Sequence, residues 1–396
     1  MENLDRLMRI LICGVYFEPI NKPNVPLNKD LCNFLLREGN EVELLAIGDR
    51  SEHYGFRLIR VKPAFTKETG VWKKAWNYFA ASVVSIFRVL IAKYDCVIVY
   101  STPPFLSSWL SIAAKIRSTK VIYDIQDLYP EVLTTGGFLK KKSLIYKYLC
   151  SVENRTLKRV DKVRVCSSSM KEAIEKRTHI DPQVFEKIFF LPNWLHSDLD
   201  RISEIKPNEH TNHEKNTIVY SGNIGMGQGV EDIINVASEL PDYHFIIRGE
   251  GIGKAKVIEE VQRKALKNIE VSGFVPIDDY YRELLSENIV PIITVKKGVG
   301  LYSVPSKALN MIKAKKPAIY VVDKDSELAN TIEKYNFGIQ INPGDKSSLK
   351  LAVVEAFNKE NRGSFDELNR NLDRERILSE YSRRILDVAS TLEESD

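Results

Sequence analysis

The sequence predicts an α/β protein built from two doubly wound parallel sheets, and three observations carry that prediction. At 396 residues the chain exceeds one ordinary hydrophobic core and suits two domains of similar size. Short β-rich apolar runs alternate with longer helical patterns, which is the order of parallel strands joined by crossover helices. The alternation is interrupted once, by a polar stretch broken with prolines, and then starts again.

The first series reads ILICGVY (10–16), LNKDLCNFLLREG (27–39), EVELLAIG (41–48), CVIVYS (96–101), KVIYDI (120–125) and KVRVCSS (162–168). Leu31, Phe34, Leu35 and Leu36 give its first helix an apolar face, and Gly39 stands where a helix would end. From residue 191 the text LPNWLHSDLDRISEIKPNEHTNHEKN reads as an interdomain connection. The second series follows as NTIVYSGN (216–223), YHFIIRGEG (243–251), IEVSGFV (269–275), NIVPIITV (288–295) and PAIYVV (317–322), separated by helical stretches. A last helical pattern, 366–392, has no domain assigned by its residues alone.

Composition narrows the function class. Apolar residues at 44% and charged residues at 28% are ordinary globular usage and argue against a disordered or coiled-coil chain. The net charge of +4 falls short of the continuous basic excess of a nucleic-acid-binding protein, so no nucleic-acid partner is expected. Cys13, Cys32, Cys96, Cys150 and Cys166 are odd in number and lack zinc-ligand spacing, so they read as reduced thiols in a cytosol, with no metal site. The start, MENLDRLMRILICGVYFEP, reads as a first strand and not as a secretory signal. No run approaches the roughly 20 apolar residues that span a bilayer.

In open parallel sheets ligands sit beyond the carboxyl ends of the strands, and three such places carry chemistry. Tyr220-Ser221-Gly222-Asn223-Ile224-Gly225-Met226-Gly227-Gln228-Gly229 is a glycine-rich turn before a helix, where backbone N–H groups would approach a phosphate; a mobile turn is the plain reading. Gly300-Leu301-Tyr302-Ser303-Val304-Pro305-Ser306-Lys307 describes a helix start with a serine cap, a proline in the first turn and a lysine, suited to a diphosphate, though ordinary capping needs no ligand. Tyr123-Asp124-Ile125-Gln126-Asp127-Leu128-Tyr129-Pro130-Glu131 sets three carboxylates after an apolar strand, where acids are costly unless paired and would serve as acid or base; one of them could simply cap a helix. Arg248-Gly249-Glu250-Gly251-Ile252-Gly253 is not a dinucleotide fingerprint, and the first strand's loop lacks GxGxxG, so a dehydrogenase is disfavoured. Arg248 has two readings, a donor phosphate or a surface salt bridge.

Ser101-Thr102-Pro103-Pro104, DIQDLYPE, Met170-Lys171-Glu172-Ala173, Leu191-Pro192-Asn193, YSGNIGMGQG, VSGFV and SVPSK follow one another nearly end to end. In this order they resemble the landmarks of family-4 (group 1) retaining glycosyltransferases, particularly bacterial enzymes of capsule, O-antigen and exopolysaccharide synthesis. The resemblance implies the GT-B fold: an N-terminal acceptor domain over 1–197, a C-terminal nucleotide-sugar domain over 198–374, and a last helix, 375–396, returning to the first. By resemblance Gly222, Asn223, Gln228, Arg248, Val275, Tyr302, Ser303, Pro305, Ser306 and Lys307 would line the nucleotide-sugar site, with Asp127 facing the reacting sugar and Asp124 and Glu131 near.

Three departures from the family pattern are visible. The usual Arg and Lys of the first phosphate loop fall on Asn223 and Gln228, the usual glutamates spaced by seven residues fall on Tyr302 and Asn310, and the glycine pair of the N-terminal loop is Asn21-Lys22-Pro23-Asn24. Arg248, Lys307, Lys296 and Lys297 remain to compensate a donor diphosphate. The resemblance further implies a UDP-sugar donor, transfer with retention in which the leaving phosphate acts as base, no metal or other cofactor, and an Asp127 that orients or polarises.

Val71-Trp72-Lys73-Lys74-Ala75-Trp76-Asn77-Tyr78-Phe79, continuing through AASVVSIFRVLIAK, combines tryptophans, lysines and a long apolar face; residues 139–164 add Lys140, Lys141, Lys142, Lys147, Arg155, Lys158, Arg159, Lys162 and Arg164 against Glu153 and Asp161. A core helix and a solvated face are the plain readings. The functional one is an anionic membrane surface and a polyprenyl-linked or oligosaccharide acceptor, with the protein peripheral at the inner face of the cell membrane. Two rivals stand beside the transferase: a nucleotide-sugar 2-epimerase-like enzyme, and a non-catalytic binding subunit that keeps the fold.

Overall fold

The computed structural model describes residues 7–18, 24–48, 54–62, 71–135, 137–177, 181–206, 216–358 and 363–390. The chain divides into two compact units. The first comprises 1–131, 140–197 and 373–396; the second comprises 132–139 and 198–372.

The first unit is a seven-stranded parallel sheet with strands β1 (Arg9–Tyr16), β2 (Glu41–Ile47), β3 (Arg57–Val61), β4 (Cys96–Tyr100), β5 (Lys120–Ile125), β6 (Lys162–Val165) and β7 (Ile188–Phe190), in the order β3-β2-β1-β4-β5-β6-β7. Ile10 pairs with Val42 on one side and Cys96 on the other. All five β4 residues are buried, as are Ile10 to Cys13, because a central parallel strand is covered on both faces. Its helices include α1 (Asn24–Arg37), α2 (Val71–Ile91), α3 (Leu106–Ile116) and, after the short α4 (Glu131–Thr135) where the chain passes briefly into the second unit, α5 (Leu144–Arg159). Gly39 closes α1 in the left-handed region (φ 86°), donating to the Leu36 carbonyl while the Asn40 N–H reaches Leu35. Ser143 caps α5 by accepting from the Tyr146 N–H.

The second unit is a six-stranded parallel sheet of β8 (Thr217–Ser221), β9 (His244–Arg248), β10 (Ile269–Ser272), β11 (Ile289–Thr294), β12 (Ala318–Val321) and β13 (Gly338–Ile341), ordered β10-β9-β8-β11-β12-β13. Ile218, Tyr220, Phe245, Ile247, Ile292 and Ile319 anchor its core. In both sheets the order reverses beside the first strand, between β1 and β4 and between β8 and β11, which is where a doubly wound sheet opens a crevice.

Two expectations need correction. The stretch from 191 is not all connection: Trp194 is buried in the first unit with its indole N–H donating to Asp30, and the second unit takes over with the 3₁₀ turn Ser197–Glu204. The helical text 366–392 is two helices, Phe365–Asn371 and Arg374–Ser390, and the second packs on β4 and β5 of the first unit. Residues 391–396 and 207–215, with Asn21, Lys22 and Pro23, lie outside the described residues, as do the Trp72 and Lys74 side chains.

Candidate functional site

In the second unit the site forms at the carboxyl ends of β8 and β11. The turn after β8 is held, not mobile: Gly222 N–H donates to the Arg248 carbonyl (2.8 Å), Ile224 N–H to Glu250 (2.8 Å), and Lys296 N–H to Gly227 (2.9 Å). The buried Thr294 hydroxyl donates to the Gln228 carbonyl at 2.6 Å. The glycines of 249–253 serve this same backbone-on-backbone packing. A Cβ on Gly249 would run into the Gly222 carbonyl oxygen, and one on Gly251 into that of Ile224. Both have φ near 150°, which side chains rarely adopt.

Tyr220, fully buried at the end of β8, is the hub. Its hydroxyl donates to the Asn223 carbonyl at 2.6 Å, lies 3.3 Å from the Gln228 amide oxygen, and accepts from the Lys307 ammonium at 3.0 Å. The Lys307 Nζ also sits 4.1 Å from the Tyr220 ring centroid. Gly222 lies against that lysine, since a Cβ there would overlap its terminal atoms. Among the described residues no carboxylate pairs with Lys307, and burial pulls its ammonium down to about 8. Lys307 shares a pocket with Ser221, Tyr280, Glu283 and Met311.

Arg248 is engaged elsewhere: its guanidinium grips Glu283 with two nitrogens, both side chains about nine-tenths buried. The salt-bridge reading of this residue therefore holds, with the pair buried and not on the surface. Lys296 pairs with Glu231 at 3.4 Å, and Lys297 is exposed. The helix-start argument for 300–307 is also corrected. The helix Lys307–Lys313 has seven residues, Ser306 makes no capping bond, and Pro305 precedes the helix instead of opening it. What survives there is the lysine's charge. Tyr302 and Ser303 sit on the turn Val299–Leu301, where the Ser303 hydroxyl donates to the Val299 carbonyl; Val275 is half-buried beyond β10. Sequence reasoning did not single out Tyr220, Tyr280 or Glu283. For Tyr220 the signal was available, since it is a polar-tipped residue in the last turn of a core strand.

In the first unit the three carboxylates separate by role. Asp124, fully buried on β5, pairs with Arg164 on β6 at 2.7 Å, and accepts from the Tyr381 hydroxyl (3.0 Å) and the Gln126 amide (2.6 Å). Arg164 also donates to the carbonyls of Leu191 and Pro192 and to the Asn193 side chain, whose amide returns to Gln126 at 2.8 Å. Glu131 is locked by Arg177 at 2.5 Å. Both acids are thus paired, which is sufficient to account for their burial. Asp127 is different. It is half-buried on the loop beyond β5, and the buried Ser101 hydroxyl accepts from its backbone N–H and from that of Gln126, each at 3.2 Å. Below this loop Tyr123 donates to the buried Glu153 at 2.8 Å, and burial pushes that carboxyl up to about 7.

Comparison with known proteins accounts for both units. The Glycosyltransferase Family 4 model matches residues 28–199, and the Glycosyl transferases group 1 model matches residues 201–375. The chain is 24% identical to WcaI of Escherichia coli K12, a glycosyl transferase named for colanic acid biosynthesis, over 94% of this chain and 98% of the relative. Among solved structures it resembles sucrose-phosphate synthase from Thermosynechococcus elongatus, with a TM-score of 0.73 at 14% identity over 98% of this chain and 100% of that one. It also resembles Anabaena HepE in complex with UDP, with a TM-score of 0.64 at 12% identity over 96% and 99%. The first model covers β2 to β7 and the second β8 to β13, and the chain belongs to the group 1 glycosyltransferases and has the GT-B fold.

Proposed function

We propose that this glycosyltransferase moves a sugar from a UDP-sugar to a lipid-linked or growing glycan acceptor, with retention of configuration, in the synthesis of a cell-surface polysaccharide. Lys307 carries the reading. A largely buried ammonium that pairs with no carboxylate among the described residues is unfavourable until an anion arrives, and a donor diphosphate is such an anion. The pinned Gly222–Gly229 turn supplies close backbone approach next to it. HepE, similar in fold, is seen with UDP and with UDP-glucose, and WcaI is named for polysaccharide synthesis.

In this reading transfer passes through an oxocarbenium-like state. Lys307 stabilises the charge that builds on the leaving diphosphate, without a metal, and that diphosphate takes the acceptor proton. Asp127 orients or polarises the reacting groups, and Asn223, Gln228, Val275, Tyr302, Ser303, Pro305 and Ser306 line the donor. A lipid-linked acceptor would set the enzyme to work at the inner face of the cell membrane.

A second reading, a non-catalytic subunit that keeps the fold, draws on the Arg248–Glu283 pair, which takes one expected phosphate cation out of use. Thermal unfolding with UDP, GDP, ADP and CDP separates the two. Selective stabilisation by UDP supports the donor site, and no shift with any of the four supports the binding subunit. Asp127→Asn is expected to keep the UDP shift and lose transfer; unchanged transfer would remove Asp127 from the reaction.

A further inference from the structure

Three helices of the first unit carry large apolar residues on their outer faces as well as their inner ones. On α2 the buried stripe is Asn77, Ala81, Ser85 and Val89, three of them small or polar, and Ser85 bonds back to the Ala81 carbonyl. The opposite stripe is Trp76, Phe79, Val83, Phe87 and Ile91, with Trp76 55% exposed and Phe87 62% exposed. On α3 Leu106, Leu110, Ser107, Ser111 and Ala114 face inward, while Trp109 (63%), Ile112 and Ile116 (70%) face solvent. On α5 Thr156 and Leu157 are buried, and Leu144, Ile145 and Tyr148 are exposed. α3 packs against both α2 and α5, so these stripes adjoin. A helix in a soluble domain ordinarily keeps its outer face polar, and an apolar surface of this extent marks an interaction site.

Charge identifies the partner. Of the cations on the three helices Lys115, Lys147, Arg155 and Lys158 are exposed, the last paired with Asp181, Lys73 and Arg159 are half-buried, and Arg88 is turned inward onto Glu43; the one acid these helices carry, Glu153, is buried. Exposed Lys93, Arg117, Lys140, Lys141 and Lys142 flank them, again without an acid among them. The whole chain, by contrast, holds 57 basic and 53 acidic residues, so the exclusion is local. A second copy meeting this face across a two-fold axis would set like charge on like charge. Beside its aromatic residues the face carries Val83, Ile91, Ile112 and Ile116, aliphatic groups that suit acyl chains.

We propose that the α2–α3–α5 face docks on a bilayer surface rich in anionic phospholipid, its aromatic and aliphatic residues entering the headgroup boundary and its lysines holding the phosphates. The purpose of this docking rests on the lipid-linked acceptor proposed above; its chemistry does not.

The test is co-sedimentation of the full chain with vesicles of equimolar phosphatidylglycerol and phosphatidylcholine, and with phosphatidylcholine alone. Binding is expected to the anionic vesicles, reduced but not abolished at high salt. Trp76→Ser/Phe87→Ser/Trp109→Ser is expected to weaken partition about tenfold or more and to remove the salt-resistant part. Lys140→Glu/Lys141→Glu/Lys142→Glu is expected to weaken only the salt-sensitive part. Both variants should keep wild-type unfolding and the wild-type response to UDP, so a failed membrane face and a failed donor site give different results. The proposal is overturned if wild type ignores anionic vesicles at low salt, or if the aromatic variant partitions as wild type does. It is also overturned if light scattering finds a wild-type dimer that the aromatic variant dissolves without any vesicle binding, which would make the occupant a second copy.

Discussion

Replacing Lys307 by methionine should move stability and affinity in opposite directions. Burial holds the ammonium near 8 against an ordinary 10.5, so at pH 7 the folded chain carries a charge that it disfavours. A lysine whose folded pKa lies below its unfolded value weakens folding while it is protonated in both states, and that cost fades as pH rises through 8 toward 10.5. The difference amounts to about 3 kcal/mol at pH 7, an upper figure because methionine also forgoes the bond to Tyr220 and the ring contact. Lys307→Met is therefore expected to melt several degrees higher than wild type without nucleotide. It should also bind UDP about 10- to 150-fold more weakly, since a hydrogen bond to a charged group contributes about 1.5–3 kcal/mol. Titration calorimetry at pH 7 and pH 9 reads the second effect. Wild-type affinity should fall between these values as the amine loses its proton, whereas Lys307→Arg, charged throughout, should show no fall from this group. The reasoning is refuted if Lys307→Met binds UDP as wild type does, or if its melting temperature drops together with its affinity, which would make Lys307 a packing residue.

Other expectations follow from the same geometry. Arg164→Met leaves the Asp124 carboxylate buried without its cation, and should cost about 3–5 kcal/mol in urea denaturation; Arg164→Met/Asp124→Leu should recover part of it. Glu153 has its folded pKa raised to about 7, so its contribution to stability erodes as pH rises from its unfolded 4.5 through 7. Glu153→Gln should therefore flatten the fall in stability between pH 5 and pH 8 by up to about 3 kcal/mol. Gly249→Ala forces a methyl into the Gly222 carbonyl and should cost about 1–3 kcal/mol while abolishing the thermal shift with UDP. Gly137→Ala, at a positive φ with open space around it, should leave that shift intact.

Core strands were legible because a central parallel strand is covered on both faces and so reads as an unbroken apolar run. CVIVY, KVIYDI and PAIYVV lie within a residue of the observed β4, β5 and β12. The three strands without a sequence signal, β3, β7 and β13, are all at sheet edges. RLIRV and GIQI mix polar and apolar residues because an edge strand has one neighbour and partial cover, and IFF is three residues long. The loops after β5, β8 and β11 were legible for a related reason: a doubly wound sheet sends its ligand-facing residues to strand ends.

Element order, the break into two series and the short stretches in which the chemistry sits could be read from the chain alone. All of these are written in periodicity and local composition. Only the tertiary structure decided which charges remain available. Asp124 met Arg164 across 40 residues, Glu131 met Arg177 across 46, and Arg248 met Glu283 across 35, while Lys307 met a tyrosine hydroxyl and ring and, among the described residues, no carboxylate. Strand order and helix placement create these encounters, and a buried charge is neutralised or left waiting according to what lies beside it in space.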